Sequence, residues 1–411
     1  MKRVLFISGE PSGDQHGAHV VRGLKKLVPD LDAYGVGGPD MEAEGLRLIH
    51  DITELSVIGL VEVAKSYFRL KAVFDDLVRH VDADRPDAVV LIDYPGFNLR
   101  LAAVLKKKHP ALRIIYFVSP QIWAWGHRRI HAIRRVVDLM LVLFPFEVDV
   151  YEKGGRWVMK DGMLSIREHH FWRPSSLRVR YVGHPVALKL RTYSPDAGFA
   201  ERHGIPAGKR IVTLLSGSRP NEVRTIFPIM LECSERLRRG RKDVFFIVSC
   251  ARKELRPLVE AELKAAGIAD DGAQYRVVEG SMYDMVNLAE LVICKSGTSA
   301  FEAALMLKPI IVLYRVRFFT ALVAKLVLRI PFFNLANIIA GRMIVPEFIQ
   351  YQMTPRHIVP AVERYLDDKE LYRQTIAELA KVRAQFEQGD TGARAAEEIC
   401  GMMGWGTTEM I

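Results

Sequence analysis

The hydrophobic residues of this chain fall into short continuous runs that alternate with longer amphipathic segments. In the first half, the runs at residues 4–8, 88–93, 113–119 and 139–144 are predicted to be strands. Segments with helical periodicity lie near residues 14–27, 60–82, 97–109 and 127–137. Strands without polar alternation are typical of a sheet that helices cover on both faces. The pattern therefore predicts an α/β fold with a parallel, doubly wound sheet.

A second series of the same kind follows, with predicted strands at 211–215, 244–249, 275–278, 291–294 and 310–314. The two series predict two Rossmann-like domains, at residues 1–190 and 198–350, joined by a polar linker near 191–197. Residues 153–180 show no clear period and are predicted to be an insertion or a long loop. The tail, residues 351–411, is predicted to be helical with a break at Asp390-Thr391-Gly392.

Composition and charge narrow the class of protein. The 411 residues are 49% hydrophobic and 26% charged, which suits two globular cores. The four cysteines are widely spaced, so reduced thiols in a cytoplasmic protein are expected. The apolar run at residues 4–7 is too short for a secretory signal, and no run approaches the roughly 20 residues of a membrane span.

A formal net charge of +10 favours anionic partners, but it does not choose among nucleic acid, phosphorylated substrates and lipid. The basic run at 127–135 contains apolar residues, so it predicts an amphipathic helix that contacts lipid or phosphate or is simply solvated. The segments 66–74 and 317–333 combine aromatic residues with Lys and Arg. They are candidate membrane-docking segments, with ordinary buried helices as the alternative.

In open α/β sheets ligands bind beyond the carboxyl ends of the strands, so the loops that follow strands are the candidate sites. Asp93 ends a buried apolar strand, where a carboxylate is costly unless it is hydrogen-bonded or used. It is a candidate general base for a sugar hydroxyl, with a helix cap as the alternative. In the same domain Ser12, Asp14 and Asn98 are candidates either for helix caps or for substrate contacts.

Two tryptophans, Trp123 and Trp125, follow the third predicted strand. Indoles stack on sugar faces or lie at lipid interfaces, although a loop packed into the core explains them equally well. The pair His169-His170 lies in the irregular stretch without a supporting carboxylate pattern, so it is interpreted as solvated and no metal is expected. The chain has neither a P-loop nor a G-x-S-x-G elbow.

Two loops of the second domain suit a nucleotide. Gly217, Ser218 and Arg219 combine backbone donors with a guanidinium at a helix start, which favours a diphosphate over a plain turn. Ser296, Gly297 and Thr298 open a further helix, whose free N–H groups attract anions. Glu302 lies one turn into that helix, on the face that would accept hydrogen bonds from ribose hydroxyls.

In their order and spacing, these motifs together resemble those of the lipid-A-disaccharide synthase family. The resemblance runs from residue 4 to about residue 346. It rests on residues 8–14, 35–39, 59–63, 93–98, 118–125, 144–147, 182–185, 217–219, 296–298 with Glu302, and Asn337 with 341–342. Ser216 stands where the family has Pro, Gly96 where some members have an acidic residue, and Ala336 where Pro is expected.

The resemblance implies a GT-B fold, in which two Rossmann-like domains face a cleft. It implies an inverting transfer from UDP-2,3-diacylglucosamine to 2,3-diacylglucosamine 1-phosphate that forms a β-1,6 linkage without cofactor or metal. Asp93 would be the base and Arg219 would hold the diphosphate. Ser296, Gly297, Thr298, Glu302 and Asn337 would hold UDP with Gly217 and Ser218. Ser12, Asp14, Asn98, Trp123 and Trp125 would lie on the acceptor side.

The resemblance also implies partners and location. The family consists of peripheral proteins of the inner face of the cytoplasmic membrane, so an anionic membrane surface is expected rather than nucleic acid. Its C-terminal helices cross back to the first domain and exchange between the subunits of a homodimer. Three alternatives stay open: a UDP-N-acetylglucosamine 2-epimerase, a soluble glycosyltransferase, and a non-catalytic paralogue that binds lipid or nucleotide.

Overall fold

The computed structural model describes residues 1–54, 63–154, 156–160, 163–167, 175–270, 272–315, 332–386 and 389–406. The chain forms two compact units. The first consists of Met1–Trp157, Ile166–Leu188 and Glu387–Ile411, and the second of Val158–Ser165 and Lys189–Phe386. Of the three α-helices that the structure describes within residues 351–411, only the last therefore belongs to the first unit.

The first unit contains a seven-stranded parallel sheet in the order β3-β2-β1-β4-β5-β6-β9. Its strands are β1 (Lys2–Ser8), β2 (Leu31–Gly37), β3 (Arg47–Asp51), β4 (Ala88–Ile92), β5 (Arg113–Phe117), β6 (Leu139–Val142) and β9 (Arg178–Tyr181). All side chains from Val4 to Ile7 and from Ala88 to Ile92 are completely buried. The centre of the sheet is thus covered on both faces, which explains its continuous apolar runs.

The helices up to residue 192 connect these strands and cover the sheet. They are α1 (Pro11–Leu27), α2 (Pro39–Ala43), α3 (Val63–Asp84), α4 (Pro95–Lys108), α5 (Arg129–Val136), α6 (Pro145–Glu152) and α7 (Pro185–Thr192). Many of them begin with proline, which is tolerated there because the first helical N–H has no intrahelical partner.

The last described helix, α16 (Thr391–Met403), packs on α1. A Cβ on Gly392 would lie 2.4 Å from His19 Cβ, so this crossing requires glycine.

The second unit contains a six-stranded parallel sheet in the order β12-β11-β10-β13-β14-β15. Its strands are β10 (Arg210–Leu215), β11 (Val244–Cys250), β12 (Tyr275–Glu279), β13 (Leu291–Lys295), β14 (Ile310–Tyr314) and β15 (Glu347–Ile349). Its helices are α8 (Phe199–Arg202), α9 (Pro220–Gly240), α10 (Arg256–Ala265), α11 (Met282–Leu288), α12 (Thr298–Leu305), α13 (Leu335–Ala340), α14 (Pro355–Asp367) and α15 (Lys369–Ala384). Ile358, Val362 and Leu366 bring α14 into the core at helical spacing.

Every strand predicted in the two series is present, and the structure adds β2, β3, β9 and β15 to the two parallel sheets. The prediction that 153–180 lacks regular structure was wrong in part. Strands β7 (Arg156–Lys160) and β8 (Met163–Arg167) form a two-stranded sheet there, and β9 follows. The residues 59–62, the pair His169-His170 and most of segment 317–333 lie outside the described residues. Within the described part of the chain, no helix has the length and apolar content needed to cross a bilayer.

Aspartates set the helix boundaries of the tail. Asp390 accepts hydrogen bonds from the N–H groups of Gly392 and Ala393, so the predicted break is the start of α16. A second interruption, which the sequence pattern did not predict, occurs where Asp368 caps α15 in the same way. A carboxylate at this position satisfies N–H groups that the helix itself leaves unpaired.

In each sheet the chain reverses its direction of strand addition at one place. It moves outward from β1 through β2 to β3 and then returns to place β4 on the other side of β1. In the second sheet the same reversal lies between β10 and β13. The loops at the carboxyl ends of these strand pairs diverge and leave a crevice, which is where ligands bind in such folds.

Candidate functional site

Asp93 lies at the reversal point of the first sheet, between β4 and α4. Asp93 and Tyr94 have φ values of +47° and +46°, a left-handed conformation that is unusual for residues other than glycine. Val118, at the end of the neighbouring strand β5, has a φ of +65°. Such backbone strain persists only where surrounding contacts enforce it, and it concentrates at functional sites.

The carboxyl of Asp93 is partly exposed and electrostatically perturbed. Burial, and then the negative charge of Glu10 after β1, raise the pKa of Asp93, and the Tyr94 N–H lowers it to a smaller extent. A carboxylate with a raised pKa is a better proton acceptor than a fully solvated one. The environment of Asp93 therefore suits general-base chemistry.

Two predicted acceptor-side residues instead shape the surrounding loops. Asp14 is 2% exposed, and its carboxylate accepts N–H bonds from Gly38 (2.7 Å), Asp40 (3.0 Å) and Met41 (3.1 Å). Asn98 is completely buried and donates to the carbonyls of Ile92 and Asp93, at 3.2 and 2.9 Å. These contacts give Asp14 and Asn98 structural roles, and their contacts with a substrate stay predictions.

Asn98 nonetheless acts on the candidate base, because it fixes the backbone turn that carries Asp93. Ser12, the remaining predicted contact of this region, is exposed in the first turn of α1. Of the three residues, Ser12 is thus the one whose side chain a substrate can reach in this structure.

The two tryptophans have different surroundings. Trp123 is 6% exposed, packs edge-on against Phe146, and donates its indole N–H to Glu147 Oε1 at 3.1 Å. Trp123 thus packs in the core, as the alternative interpretation had it, and its contact with the acceptor stays a prediction. Trp125 is 44% exposed, and the Arg129 guanidinium lies 4.3 Å from its ring centroid. Of these two tryptophans, only Trp125 presents an aromatic face at the surface.

Glu147 is buried and belongs to the motif at residues 144–147, but the sequence did not indicate a role for its carboxyl. Besides the Trp123 indole, it accepts from the N–H groups of Leu143 and Phe144, at 3.2 and 3.1 Å. Burial raises its pKa to about 7, although these hydrogen bonds oppose the shift. Glu147 therefore ties the tryptophan loop to the start of α6.

A pocket of about 580 Å³ lies at the carboxyl ends of the strands of the second sheet. Loops that follow β10, β11, β12 and β13 line it, including the reversal point between β10 and β13. Six of the predicted donor residues contribute to its wall: Gly217, Ser218, Arg219, Gly297, Thr298 and Glu302. The tertiary structure thus brings together two loops that are about 80 residues apart in the chain.

Glu302 is held in this pocket by a tyrosine that sequence analysis missed. It is 8% exposed, and Tyr283 donates its hydroxyl to Glu302 Oε1 at 2.9 Å. Burial raises the pKa of Glu302, and the Tyr283 hydrogen bond opposes this. The Tyr283 ring stacks on Tyr193 with centroids 5.3 Å apart. The sequence did contain one signal for a loop here, which is Gly280 directly after the predicted strand. Tyr283 comes three residues after this glycine.

Ser296 and Asn337 do not line the pocket. The Ser296 hydroxyl donates to the Phe333 carbonyl at 2.7 Å. Asn337 is completely buried, and its amide bonds the backbone of Ile344 and Val345 and the carboxylate of Glu347. In the structure these contacts hold residues 333–347 against the sheet, and the contacts of Ser296 and Asn337 with UDP stay predictions.

Sequence analysis also missed three charged residues beside the loop 217–219, which is called the phosphate-loop candidate below. Glu222 accepts from the Ser218 N–H at 3.0 Å and from Lys295 Nζ at 2.9 Å. Arg252, which follows β11, donates to the Ser218 carbonyl at 2.9 Å. Glu222 follows the loop 217–219, in the first turn of α9, and Lys295 directly precedes the loop 296–298, at the end of β13. Only the structure pairs them.

The family model of lipid-A-disaccharide synthetase matches residues 4–159 and 164–399. A lipid-A-disaccharide synthase from Anaeromyxobacter dehalogenans (strain 2CP-C) is 36% identical over 401 residues, which cover 98% of this chain and 97% of that protein. Lipid-A-disaccharide synthase 1 from Legionella pneumophila is 32% identical over 381 residues, which cover 93% and 92%. Both similarities run through the two units.

Among solved structures, the S. aureus MnaA–UDP co-structure covers 99% of this chain and 98% of its own, with a TM-score of 0.62 and 12% identity. The spinosyn rhamnosyltransferase SpnG covers 97% and 100%, with a TM-score of 0.54 and 15% identity. At such identities the likeness concerns the fold alone, and it is the fold of two Rossmann-like units. By its sequence, the chain belongs to the lipid-A-disaccharide synthase family, and its fold is that of the GT-B glycosyltransferases.

Proposed function

We propose that the chain transfers a 2,3-diacylglucosamine unit from its UDP donor to 2,3-diacylglucosamine 1-phosphate. The 6-hydroxyl of the acceptor attacks the anomeric carbon of the donor, the bond from that carbon to UDP breaks, and the configuration inverts. The near-complete match to lipid-A-disaccharide synthases carries this proposal. The pocket of the second unit supports it with residues suited to a nucleotide diphosphate.

Asp93 is proposed to take the proton of the attacking hydroxyl. Its position at the reversal point of the first sheet, its partial exposure and its raised pKa support this role. A base that removes the proton as the new bond forms avoids an oxonium intermediate and makes the hydroxyl a better nucleophile. Glu10, whose negative charge acts on Asp93, is proposed to tune this base.

The donor is proposed to occupy the pocket of the second unit. Arg219 is exposed at its wall, where a guanidinium can form two parallel hydrogen bonds to phosphate oxygens. Gly217 and Ser218 supply backbone groups, and Gly297 and Thr298 open α12 toward the same space. Glu302 is proposed to accept from the ribose hydroxyls in the orientation that Tyr283 sets.

Membrane association is proposed to follow from the chemistry of both substrates, which carry acyl chains and negative charge. The net charge of +10 favours an anionic bilayer surface. Phe68 is 71% exposed on α3, in the first candidate docking segment, whereas Val73 is buried. We propose peripheral binding to the inner face of the cytoplasmic membrane, which co-sedimentation with anionic and neutral vesicles tests.

A homodimer formed by exchange of C-terminal helices is also proposed. In the chain itself α16 packs closely on α1, and exchange would place it on α1 of a second copy. Sedimentation velocity, with a variant truncated before residue 387, measures whether a dimer forms and whether it needs this helix.

The reaction is tested by incubating the purified protein with both acylated substrates and measuring disaccharide and UDP by mass spectrometry. One disaccharide per UDP released is expected, and non-acylated UDP-N-acetylglucosamine should give neither product nor epimer. UDP binding without any disaccharide, at every enzyme concentration, would contradict the proposed transfer. Formation of the 2-epimer would favour the epimerase alternative.

A further inference from the structure

The phosphate-loop candidate of the second unit holds a carboxylate of its own. Glu222 lies in the first turn of α9, and its side chain points back to the loop that precedes this helix. Its two oxygens accept from the Ser218 N–H and from Lys295 Nζ, at 3.0 and 2.9 Å. Glu222, Ser218 and Lys295 all line the pocket. An internal anion thus takes one backbone donor and one ammonium where a diphosphate is proposed to bind.

The sheet fixes the position of Lys295. Strands β10 and β13 are neighbours in register, with Leu215 opposite Cys294, so Lys295 emerges beside the loop that starts at Ser216. Its side chain is 30% exposed and that of Glu222 is 13% exposed. The pair is therefore largely withdrawn from water, although the ammonium still borders the pocket.

The Glu222 carboxyl is ionised. Burial raises the pKa of Glu222, but the hydrogen bonds from Lys295 and the Ser218 N–H outweigh this and lower it. Arg219 differs from Lys295, because its exposed guanidinium makes no ion pair with the residues that the structure describes. A phosphate can therefore reach Arg219 directly, whereas it reaches Lys295 only by displacing Glu222.

The backbone of the loop is shaped to make this contact. Gly217 has a φ of +116°, and a Cβ there would lie 2.8 Å from Glu222 Cβ. On the other side of the loop, Arg252 holds the Ser218 carbonyl at 2.9 Å. The Ser218 N–H is thus fixed toward the pocket, whichever anion accepts from it.

We propose that Lys295 is a second cation for the donor diphosphate and that Glu222 is the anion it exchanges for the phosphate. Binding then replaces one set of charge-assisted hydrogen bonds by another at Lys295 and Ser218, so neither donor loses a partner. Since Glu222 competes with the phosphate, it also weakens the affinity for the product UDP and favours its release. This inference rests on the proposed donor site.

The test measures UDP and uridine binding by calorimetry in the full chain. Lys295→Met is expected to weaken UDP binding by about tenfold or more, the loss of one charge-assisted hydrogen bond, while Lys295→Arg retains most of it. Glu222→Gln removes the competing charge and is expected to tighten UDP binding by about threefold or more. Uridine has no phosphate, so its affinity should stay unchanged. Lys264→Met, on the exposed side of α10, is the matched control for loss of one positive charge.

Unchanged UDP affinity in Lys295→Met, or weaker UDP binding in Glu222→Gln, would overturn the inference. The double variant Lys295→Met/Glu222→Gln leaves no unpaired charge, so it decides the question if Lys295→Met does not fold. It should still bind UDP less tightly than Glu222→Gln alone. A wild-type chain that binds no UDP would instead refute the proposed donor site, and the inference would fall with it.

Discussion

Replacement of Asn337 by alanine separates a structural role from a ligand role. The side chain of Asn337 is completely buried. Its amide nitrogen donates to the Val345 carbonyl at 2.9 Å and to Glu347 Oε1 at 2.7 Å. Its oxygen accepts from the N–H groups of Ile344 and Val345, at 2.8 and 3.0 Å. Asn337→Ala removes all four hydrogen bonds at once.

The expected cost follows from the groups left behind. Two N–H groups and one carbonyl lose a partner, and each such buried group costs about 1–3 kcal/mol. The Glu347 carboxylate keeps the N–H groups of Phe333 and Asn334, at 2.8 and 2.9 Å, so its loss is smaller. Local relaxation and water entry recover part of the total. We therefore expect the free energy of unfolding to fall by about 3–5 kcal/mol.

Two measurements check this prediction. Denaturant-induced unfolding should shift strongly in Asn337→Ala, and hydrogen exchange of residues 344–347 should accelerate. Asn287→Ala, which changes an exposed asparagine on α11, is the control and should do neither. UDP affinity of the folded variant should stay within about threefold of wild type, below the loss expected for a direct hydrogen bond. Wild-type stability combined with a large loss of UDP affinity would refute the structural assignment.

Three further predictions concern the carboxyls of the first unit. Asp93→Asn should reduce turnover by about 10²–10⁴-fold without changing UDP affinity, and near-normal steady-state rates would reject Asp93 as the base. Glu10→Gln removes a negative charge that raises the pKa of Asp93. The acid limb of the kcat/KM profile should then move to lower pH, and an unmoved limb would exclude this coupling. Burial raises the pKa of Glu147 from 4.5 to about 7, so its contribution to stability is full below pH 4.5 and is lost as the pH rises through about 7. Glu147→Gln should remove roughly 3 kcal/mol of this pH dependence from unfolding curves, and an identical pH dependence in both proteins would contradict the assignment.

Hydrophobic periodicity and strand-end residues were sufficient for the architecture and for the position of most loops. Continuous apolar runs are a direct consequence of strands buried on both faces, so β1, β4, β10 and β13 could be recognised from sequence alone. Since ligands bind at the carboxyl ends of such strands, the same runs also located the candidate loops. Strand β2 escaped because Asp32, Gly35 and Gly37 interrupt its apolar pattern, and β15 because three residues are too few for a periodic signal.

The roles of individual side chains could be assigned only from the tertiary structure. A polar residue near a strand end can either bind a ligand or stabilise its own loop through hydrogen bonds, and the sequence does not distinguish the two. In the structure the side chains of Asp14, Asn98 and Asn337 hold neighbouring loops through hydrogen bonds, and their contacts with substrate stay predictions. The pairing of Glu222 with Lys295 joins residues 73 positions apart, and only the register of β10 against β13 brings them together. The sequence alone determined where the candidate loops lie, and packing decided which of their polar groups are exposed.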